Sequence, residues 1–571
     1  MLISSELEIL SREDVSKVII LHTEDFAVVS KLNNVHVAVV FCPYLYNYVR
    51  KLAPGLRVVF PLAATSDGAD LWRVSEDRAR QASNYLEKVS SGVLKAGELQ
   101  HWQFDYFNFL TLYALRWNEI AAKFAKLTLA GTFYIPMQDR PWRYGFYSFV
   151  PSSCLSFYIK SLVSIVPIHY HSDESREINV VPTFASLVDL EFDKLYYLPA
   201  TQRHRSDLQC LVDLHPGAVI QAPYYDVPYQ STHVIRALPV DPDNLNSIGA
   251  NFLRSGVDLG KLFRSLIEVL LAGIPLSDMQ LAQQSALLER DFVSQVLLLN
   301  NLRGIFEHSQ LRCLCISMHL TPWHGPLLSF AIERKLDIEV MPHSYVQGMP
   351  FPINGSFSFC AHPIQDYFWD RYHQMWRRVT HWGGQSLTAP VNMSDIGDTN
   401  DLNSILIVLN GCGWSHTCFI NMKQYIEDLD QFVSALMKMS ISFDVRGKPD
   451  ANFTSLIGDL IPNLSSSMER CTGAILDDIL PNYDLVICFD SQSSLAIRAL
   501  DIGIGVVFVR SASKDPTMDL CYFDQALIEY YDLDDLIRQV NNWKNNVESY
   551  QKFRKFQRLN YLTKVSVVID N

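Results

Sequence analysis

Three short segments carry residue types that could hold an anion, and each directly follows an apolar run. Gly411-Cys412-Gly413-Trp414 comes after NSILIVLN (403–410). Two glycines let backbone N–H groups approach a phosphate closely. The third glycine of a dinucleotide fingerprint is missing. Arg446-Gly447-Lys448-Pro449-Asp450 ends the run ISFDVRG (441–447). A basic pair fixed by a proline can meet a phosphate or a carboxylate. Asp490-Ser491-Gln492-Ser493-Ser494 separates DLVICF from LAIRAL. Hydroxyls there can cap a helix, and the free N–H groups of the same helix start suit a phosphate. Each segment also has a plainer reading: a tight turn, a solvated basic turn, an N-cap. Together they read as one nucleotide-phosphate pocket made by Gly411, Gly413, Trp414, Arg446, Lys448, Asp490, Ser491, Ser493 and Ser494. No Walker A sequence is present, which disfavours P-loop hydrolysis.

Proton transfer near neutral pH suits histidine. His319 and His324 lie in MHLTPWHG after the run RCLCISM, and His343 follows DIEVMP. His319 and His343 are the candidate bases; a structural role is the alternative for each. Glu24 and Asp25 follow KVIILHT (17–23) and stand in reserve as a carboxylate base or nucleophile, with Asp139 behind them. There is no HExxH and no CxxC, so no metal site is expected. Asp241-Pro-Asp243 and Asp532-Leu-Asp534 match a short acidic metal motif, but neither clearly follows a buried run, and both are set aside.

Short apolar runs alternate with helical periodicity through the C-terminal third, which predicts a parallel sheet wound on both faces. The middle region repeats the pattern: strands at 312–318, 337–342 and 357–360, with a helix at 364–376. The N-terminal part begins with strands at 17–23, 36–42 and 56–62, followed by a helix over 103–126. The expected fold is therefore α/β, with two Rossmann-type lobes whose parallel sheets face a central cleft. The N-terminal acceptor-side lobe covers 1–384, with a helical insertion at about 245–309. A polar linker follows at 385–403, and the donor-binding lobe covers 404–571, ending in a helical tail. Ligands in such folds bind at the carboxyl edges of the strands.

Composition narrows the function. The chain has 571 residues, 48% hydrophobic and 19% charged, with a formal net charge of −13. That is a globular composition, and the acidic balance argues against nucleic acid as a partner. No apolar stretch reaches the roughly 18 residues of a membrane span. The N-terminus, MLISSELEILSRED, lacks a signal peptide pattern. Cysteines in apolar runs read as reduced thiols, so a cytoplasmic location is expected. Peripheral association with the inner face of a membrane stays open.

Four motifs carry a family resemblance: MPHSYVQG (341–348), WGGQ (382–385), RGKPD (446–450) and DSQSSLAIRAL (490–500). Over about 310–510 the chain resembles the GT-B glycosyltransferases of bacterial surface polysaccharides. Within them it is similar to the group that transfers CMP-activated ulosonic acids, of the Kdo or sialic acid type. The resemblance implies a metal-independent Leloir transferase with a GT-B-like fold and no cofactor. Its donor would be a nucleotide-sugar, CMP-linked, and its acceptor a glycan or glycolipid of lipopolysaccharide or capsule. Two positions depart from the pattern. Ser344 stands where the family has glycine, and Lys448 stands where it has the histidine of a His-Pro pair. A UDP- or CDP-dependent transferase, or a non-catalytic glycan-assembly protein, are the alternatives.

Overall fold

The computed structural model describes, with short gaps inside several spans, residues 8–169, 180–181, 192–198, 209–220, 234–317, 323–341, 357–359, 379–381, 401–409, 413–418, 421–447, 454–490, 495–510 and 528–570. Three parallel sheets organise it. The first holds β1 (Lys17–Ile20), β2 (Val37–Val40), β3 (Arg57–Val59), β4 (Thr132–Met137) and β5 (Ser164–His169), in the order β3-β2-β1-β4-β5. Two short strands, β6 (Val180–Val181) and β10 (Leu238–Pro239), pair antiparallel beside it in the chain.

The second sheet holds β7 (Lys194–Tyr197), β8 (Ala218–Ile220), β9 (Val234–Ile235), β11 (Cys313–Ser317), β12 (Asp337–Met341), β13 (Phe357–Phe359) and β14 (Val379–His381). Its order is β14-β13-β12-β11-β7-β8-β9. The third holds β15 (Ser404–Leu409), β18 (Ser442–Arg446), β19 (Leu485–Phe489), β20 (Gly505–Arg510) and β21 (Glu529–Asp532), ordered β18-β15-β19-β20-β21. A hairpin of β16 (Gly413–Trp414) and β17 (Thr417–Cys418) stands apart from it. In each sheet the chain winds outward from its first strand, then returns to the other side. That reversal puts a switch point between β1 and β4, between β7 and β11, and between β15 and β19.

Inner strands such as β2, β15, β19 and β20 are apolar along most of their length, because helices cover both faces there. β1, β2 and β19 are buried at every residue. The alternation along each strand then divides the core. On the first sheet, Ile19, Val39, Phe133 and Ile135 join Leu195, Tyr197, Leu314 and Ile316 of the second sheet in one cluster. Val18, Ile20, Ala38 and Val40 point the other way and join Ile405, Ile407, Ile487 and Val507 of the third. The other face of the third sheet, with Leu406, Val486, Cys488 and Phe508, forms a separate cluster. A polar contact ties the first sheet to the third: Tyr46 Oη, on the helix Pro43–Leu52, donates to Asp459 at 3.1 Å, and Arg50 pairs with the same carboxylate.

The α/β class, the parallel winding and the helices of the insertion (Pro242–Arg254, Leu259–Leu270, Asp278–Ile305) are all present. Three sheets, not two, are doubly wound. The stretch read as one N-terminal lobe is finer than expected, because residues up to 384 hold two parallel sheets. The helix expected at 364–376 and most of the linker, 385–400, lie outside the described residues.

The tail closes the amino edge of the third sheet. From the helix Val547–Asp570, Tyr550 and Phe553 enter the cluster on one face of the sheet and Tyr561 the cluster on the other. Between them Gln557 reaches the backbone. Its Oε1 accepts from Val506 N at 2.8 Å and its Nε2 donates to Val506 O at 2.7 Å. β21 pairs with β20 only from Val507 onward, so the Gln557 amide completes the ladder where no strand runs. Gly505 leaves room for this packing, since a Cβ there would lie 3.1 Å from the Phe553 ring.

Candidate functional site

The carboxyl edge of the third sheet collects the ends of all three predicted loops. The register pairs Val408 with Arg446 and Leu409 with Phe489, and Phe489 in turn with Val509. The first and third loops therefore leave from paired residues at the switch point between β15 and β19, and the second leaves from the neighbouring strand. Crevices of this kind hold ligands in doubly wound folds.

In the first loop, Gly411 lies outside the described residues. Gly413 and Trp414 form β16 of the small hairpin, so this part is paired strand rather than an open turn. The chain re-enters a helix at Asn421, whose side chain accepts from Gln424 N at 3.2 Å as an N-cap. One turn on, the buried Tyr425 packs edge-on against Phe489, with centroids 5.3 Å apart, and its hydroxyl donates to Phe489 O at 3.4 Å. Tyr425 thus braces the end of β19 from the helix that follows β15. Nothing in its sequence context distinguishes it from a core tyrosine.

Arg446 ends β18. Its Nη1 donates to Ala474 O at 3.0 Å and to Cys471 O, and Gly447 N donates to Thr472 Oγ1 at 3.1 Å. A guanidinium on two carbonyls at the end of the helix Ser465–Thr472 anchors the base of the second loop. Asp444, two residues earlier, accepts from Ser467 Oγ, Arg470 and Tyr483 Oη at 2.6–2.8 Å. Lys448 lies outside the described residues.

Asp490 opens the third loop in the left-handed region, with φ 45°. It is 1% exposed, and its N–H donates to Val509 O at 3.0 Å. A buried aspartate in this conformation turns the chain sharply off the end of β19. Ser491, Ser493 and Ser494 lie outside the described residues. A cation missed in the sequence stands on the next strand: Arg510, the last residue of β20. Its guanidinium carbon sits 5.4 Å from the centroid of the Tyr530 ring, which is itself stacked on Phe508 at 5.1 Å. The run GVVFVR reads as strand to its end, and a basic residue closing a buried strand at this edge is the signal that was available.

In the second sheet the strands that precede the two histidine segments are neighbours. β11 and β12 end in register, Ser317 against Met341, immediately before the segments that carry His319 and His343. Both histidines lie outside the described residues. His324 is buried, its ring edge-on to Tyr197 at 5.1 Å across the β7–β11 switch point.

The reserve carboxylates sit at the switch point of the first sheet. Asp25 Oδ2 accepts from Leu21 N at 2.7 Å and His22 N at 2.8 Å, with 0% exposure. This carboxylate fixes the turn off β1. Beside it, burial first, with a small push from the Asp25 charge, raises the Tyr113 phenol well above the ordinary tyrosine range. Glu24 is partly buried in the first turn of the same helix, Thr23–Val29. At the end of β2, burial pushes the Cys42 thiol up to about 11, which keeps it protonated and unreactive. No helix of the described residues is long and apolar enough to cross a membrane.

No family model matches the chain, and no curated protein matches it in sequence. Among solved structures, it is similar to MurG of Acinetobacter baumannii, at 10% identity and a TM-score of 0.33, covering 66% of this chain and 99% of that one. The calicheamicin glycosyltransferase CalG4 gives 11% identity and a TM-score of 0.35, over 66% and 96%. A UDP-GlcNAc 2-epimerase from Neisseria meningitidis, bound to UDP-GlcNAc, gives 12% and 0.34, over 66% and 98%. At these scores no conclusion about chemistry rests on the likeness.

Proposed function

We propose that the chain is a Leloir-type glycosyltransferase whose nucleotide-sugar donor sits at the carboxyl edge of the third sheet. The observation that carries this reading is the register of that edge. Three loops with anion-binding residue types leave from β18, β15 and β19, which are adjacent, and two of them flank the switch point. Gly411, Gly413, Trp414, Lys448, Asp490, Ser491, Ser493 and Ser494 are the donor residues in this reading, with Arg446 holding the second loop in place. Backbone N–H groups and serine hydroxyls there would offset charge developing on the departing phosphate without a metal. His319 or His343 would take the proton from the acceptor hydroxyl.

The motif resemblance supports a CMP-activated ulosonic acid as donor and a surface glycan or glycolipid as acceptor, made at the cytoplasmic face of a membrane. The lobe 404–571 would hold the donor, and residues 1–384 the acceptor, across the linker 385–403. The test is thermal stabilisation of the purified chain by CMP, CDP, UDP, GDP and ADP, followed by product formation from the matching labelled donor. A nucleotide at about 100 times its Kd should add roughly 2.7 kcal/mol. Selective stabilisation by CMP supports the ulosonate donor. UDP or GDP selectivity keeps the transferase and replaces the donor. Stabilisation by none of the five overturns the donor site, and binding without turnover points to a non-catalytic glycan-assembly protein.

A further inference from the structure

We infer that the outer face of the terminal helix, Val547–Asp570, is where the chain rests on an anionic lipid bilayer. The contact rests on this helix alone; only what the membrane would supply, a glycolipid acceptor, rests on the reading above. The chain as a whole has a net charge of −13, yet the stretch 549–569 holds five cations and no acid: Lys552, Arg554, Lys555, Arg558 and Lys564. The acids of the helix, Glu548 and Asp570, stand at its two ends. A basic helix in an acidic chain marks a surface for an anionic partner.

The helix sorts these residues by face. Tyr550, Phe553, Gln557 and Tyr561 enter the third sheet. Two of the arginines turn the same way: Arg554 donates to Gly503 O at 3.0 Å and lies over the Tyr550 ring, and Arg558 donates to Leu500 O. Lys552, Lys555, Phe556 and Leu559 lie on the opposite side, within about 100° of one another around the helix. Phe556 is 56% exposed and Leu559 58%. Both lysines are exposed, and among the described residues neither forms an ion pair. An exposed ring and a branched side chain can enter the headgroup boundary while the neighbouring ammonium groups reach lipid phosphates, which is how an interfacial helix binds. The helix then continues through the apolar sequence VSVVI (565–569). Because it closes the amino edge of the third sheet, a chain seated on it turns the carboxyl edge away from the bilayer by the length of β20, roughly 20 Å.

The test is flotation of the full chain with vesicles of phosphatidylcholine alone and of phosphatidylcholine mixed equally with phosphatidylglycerol, at low and high salt. Two double variants accompany the parent: Lys552→Gln with Lys555→Gln, and Phe556→Ser with Leu559→Ser. All four side chains are exposed, and melting curves check that each variant folds. The parent should bind the phosphatidylglycerol vesicles, bind phosphatidylcholine far more weakly, and lose binding as salt rises. The lysine variant should lose about 10- to 30-fold in affinity for the anionic vesicles. The serine variant should lose about as much and keep its dependence on salt. Should one variant fail to fold, the other carries the comparison. A parent that ignores phosphatidylglycerol vesicles overturns the lipid contact. Equal binding to both lipids also overturns it, because charge then plays no part. Parent-like affinity in either variant moves the contact off this face, with the same result. If the serine variant changes the mass of the chain by light scattering and leaves vesicle binding intact, a second copy covers the face and the lipid contact falls. Nucleotide stabilisation should be equal in all three chains, so loss of the lipid contact and loss of the donor site are read separately.

Discussion

Asp25 reads in the sequence as a reserve carboxylate base or nucleophile, two residues beyond the apolar run 17–23. In the structure its carboxylate accepts from the backbone N–H groups of Leu21 and His22. Replacing it by alanine should lower unfolding stability by about 1–3 kcal/mol, because two buried N–H groups lose their partner. Equilibrium denaturation checks this, and an unchanged midpoint would remove the structural role. Asp490 invites a sharper comparison. Its left-handed backbone costs a branched side chain about 1–2 kcal/mol and costs glycine nothing. Asp490→Gly should therefore keep stability near the parent's, while Asp490→Val should lose about that amount. If both variants also lose nucleotide binding, the carboxylate itself belongs to the site. If only the valine variant does, Asp490 acts through the turn.

The elements divide into those that the sequence displays and those that it hides. Runs such as SILIVL, LVICF and GVVFVR are continuous and apolar, and they appear where expected as β15, β19 and β20. β7 was not legible. KLYY carries a lysine and two tyrosines, and its burial depends on the pairing of Lys194 with Glu339 at 3.0 Å, far along the chain on β12. β8 and β9 have three and two residues, too few for any periodicity. Without a signal for these three strands, the sequence shows the first two sheets as one lobe. The site shows the same contrast. Loop motifs following strong strands could be read directly, whereas Arg510 and Tyr425 gain meaning only from cross-strand neighbours. Gln557 is a case of its own, a polar residue on a helix doing the work of a strand. Gln557→Ala should cost about 2 kcal/mol or more, since both an N–H and a C=O of Val506 lose partners. Hydrogen exchange at the Val506 amide would report the loss locally.

At the scale of the molecule, the first sheet is shared property: one face belongs to a core with the second sheet, the other to a core with the third. Truncating Val49, in the core between the first and third sheets, should cost more than breaking the surface pairing of Asp459 with Arg50. A large-to-small core change typically loses a few kcal/mol, whereas a half-exposed ion pair contributes about 0–1 kcal/mol. Comparing Val49→Ala with Asp459→Ala by denaturant midpoint checks the ranking. Alkaline pH tests the interior more broadly. Burial raises the phenols of Tyr113, Tyr483, Tyr531 and Tyr550 above the ordinary range, so in the folded chain they stay neutral. Their contribution is whole below about pH 10 and is lost above it, as the unfolded chain releases its phenolic protons first. Lys17, buried on the carbonyls of Arg12, Val15 and Ala130, is shifted down and works the other way, adding stability as pH rises toward the ordinary lysine value. The buried thiols of Cys42, Cys154, Cys313 and Cys471 are raised by burial too and act with the phenols, starting from the ordinary thiol value, so the urea midpoint is predicted to begin falling above about pH 8.5 and to fall more steeply above about pH 10. The helix that closes the amino edge of the third sheet has one further consequence, during biosynthesis. Val506 receives its backbone partner from residue 557, so the ribosome has finished the strand long before the side chain that completes it exists. Until then β20 carries an open edge, and a nascent chain stalled between these residues would be the form most prone to pair with a stranger.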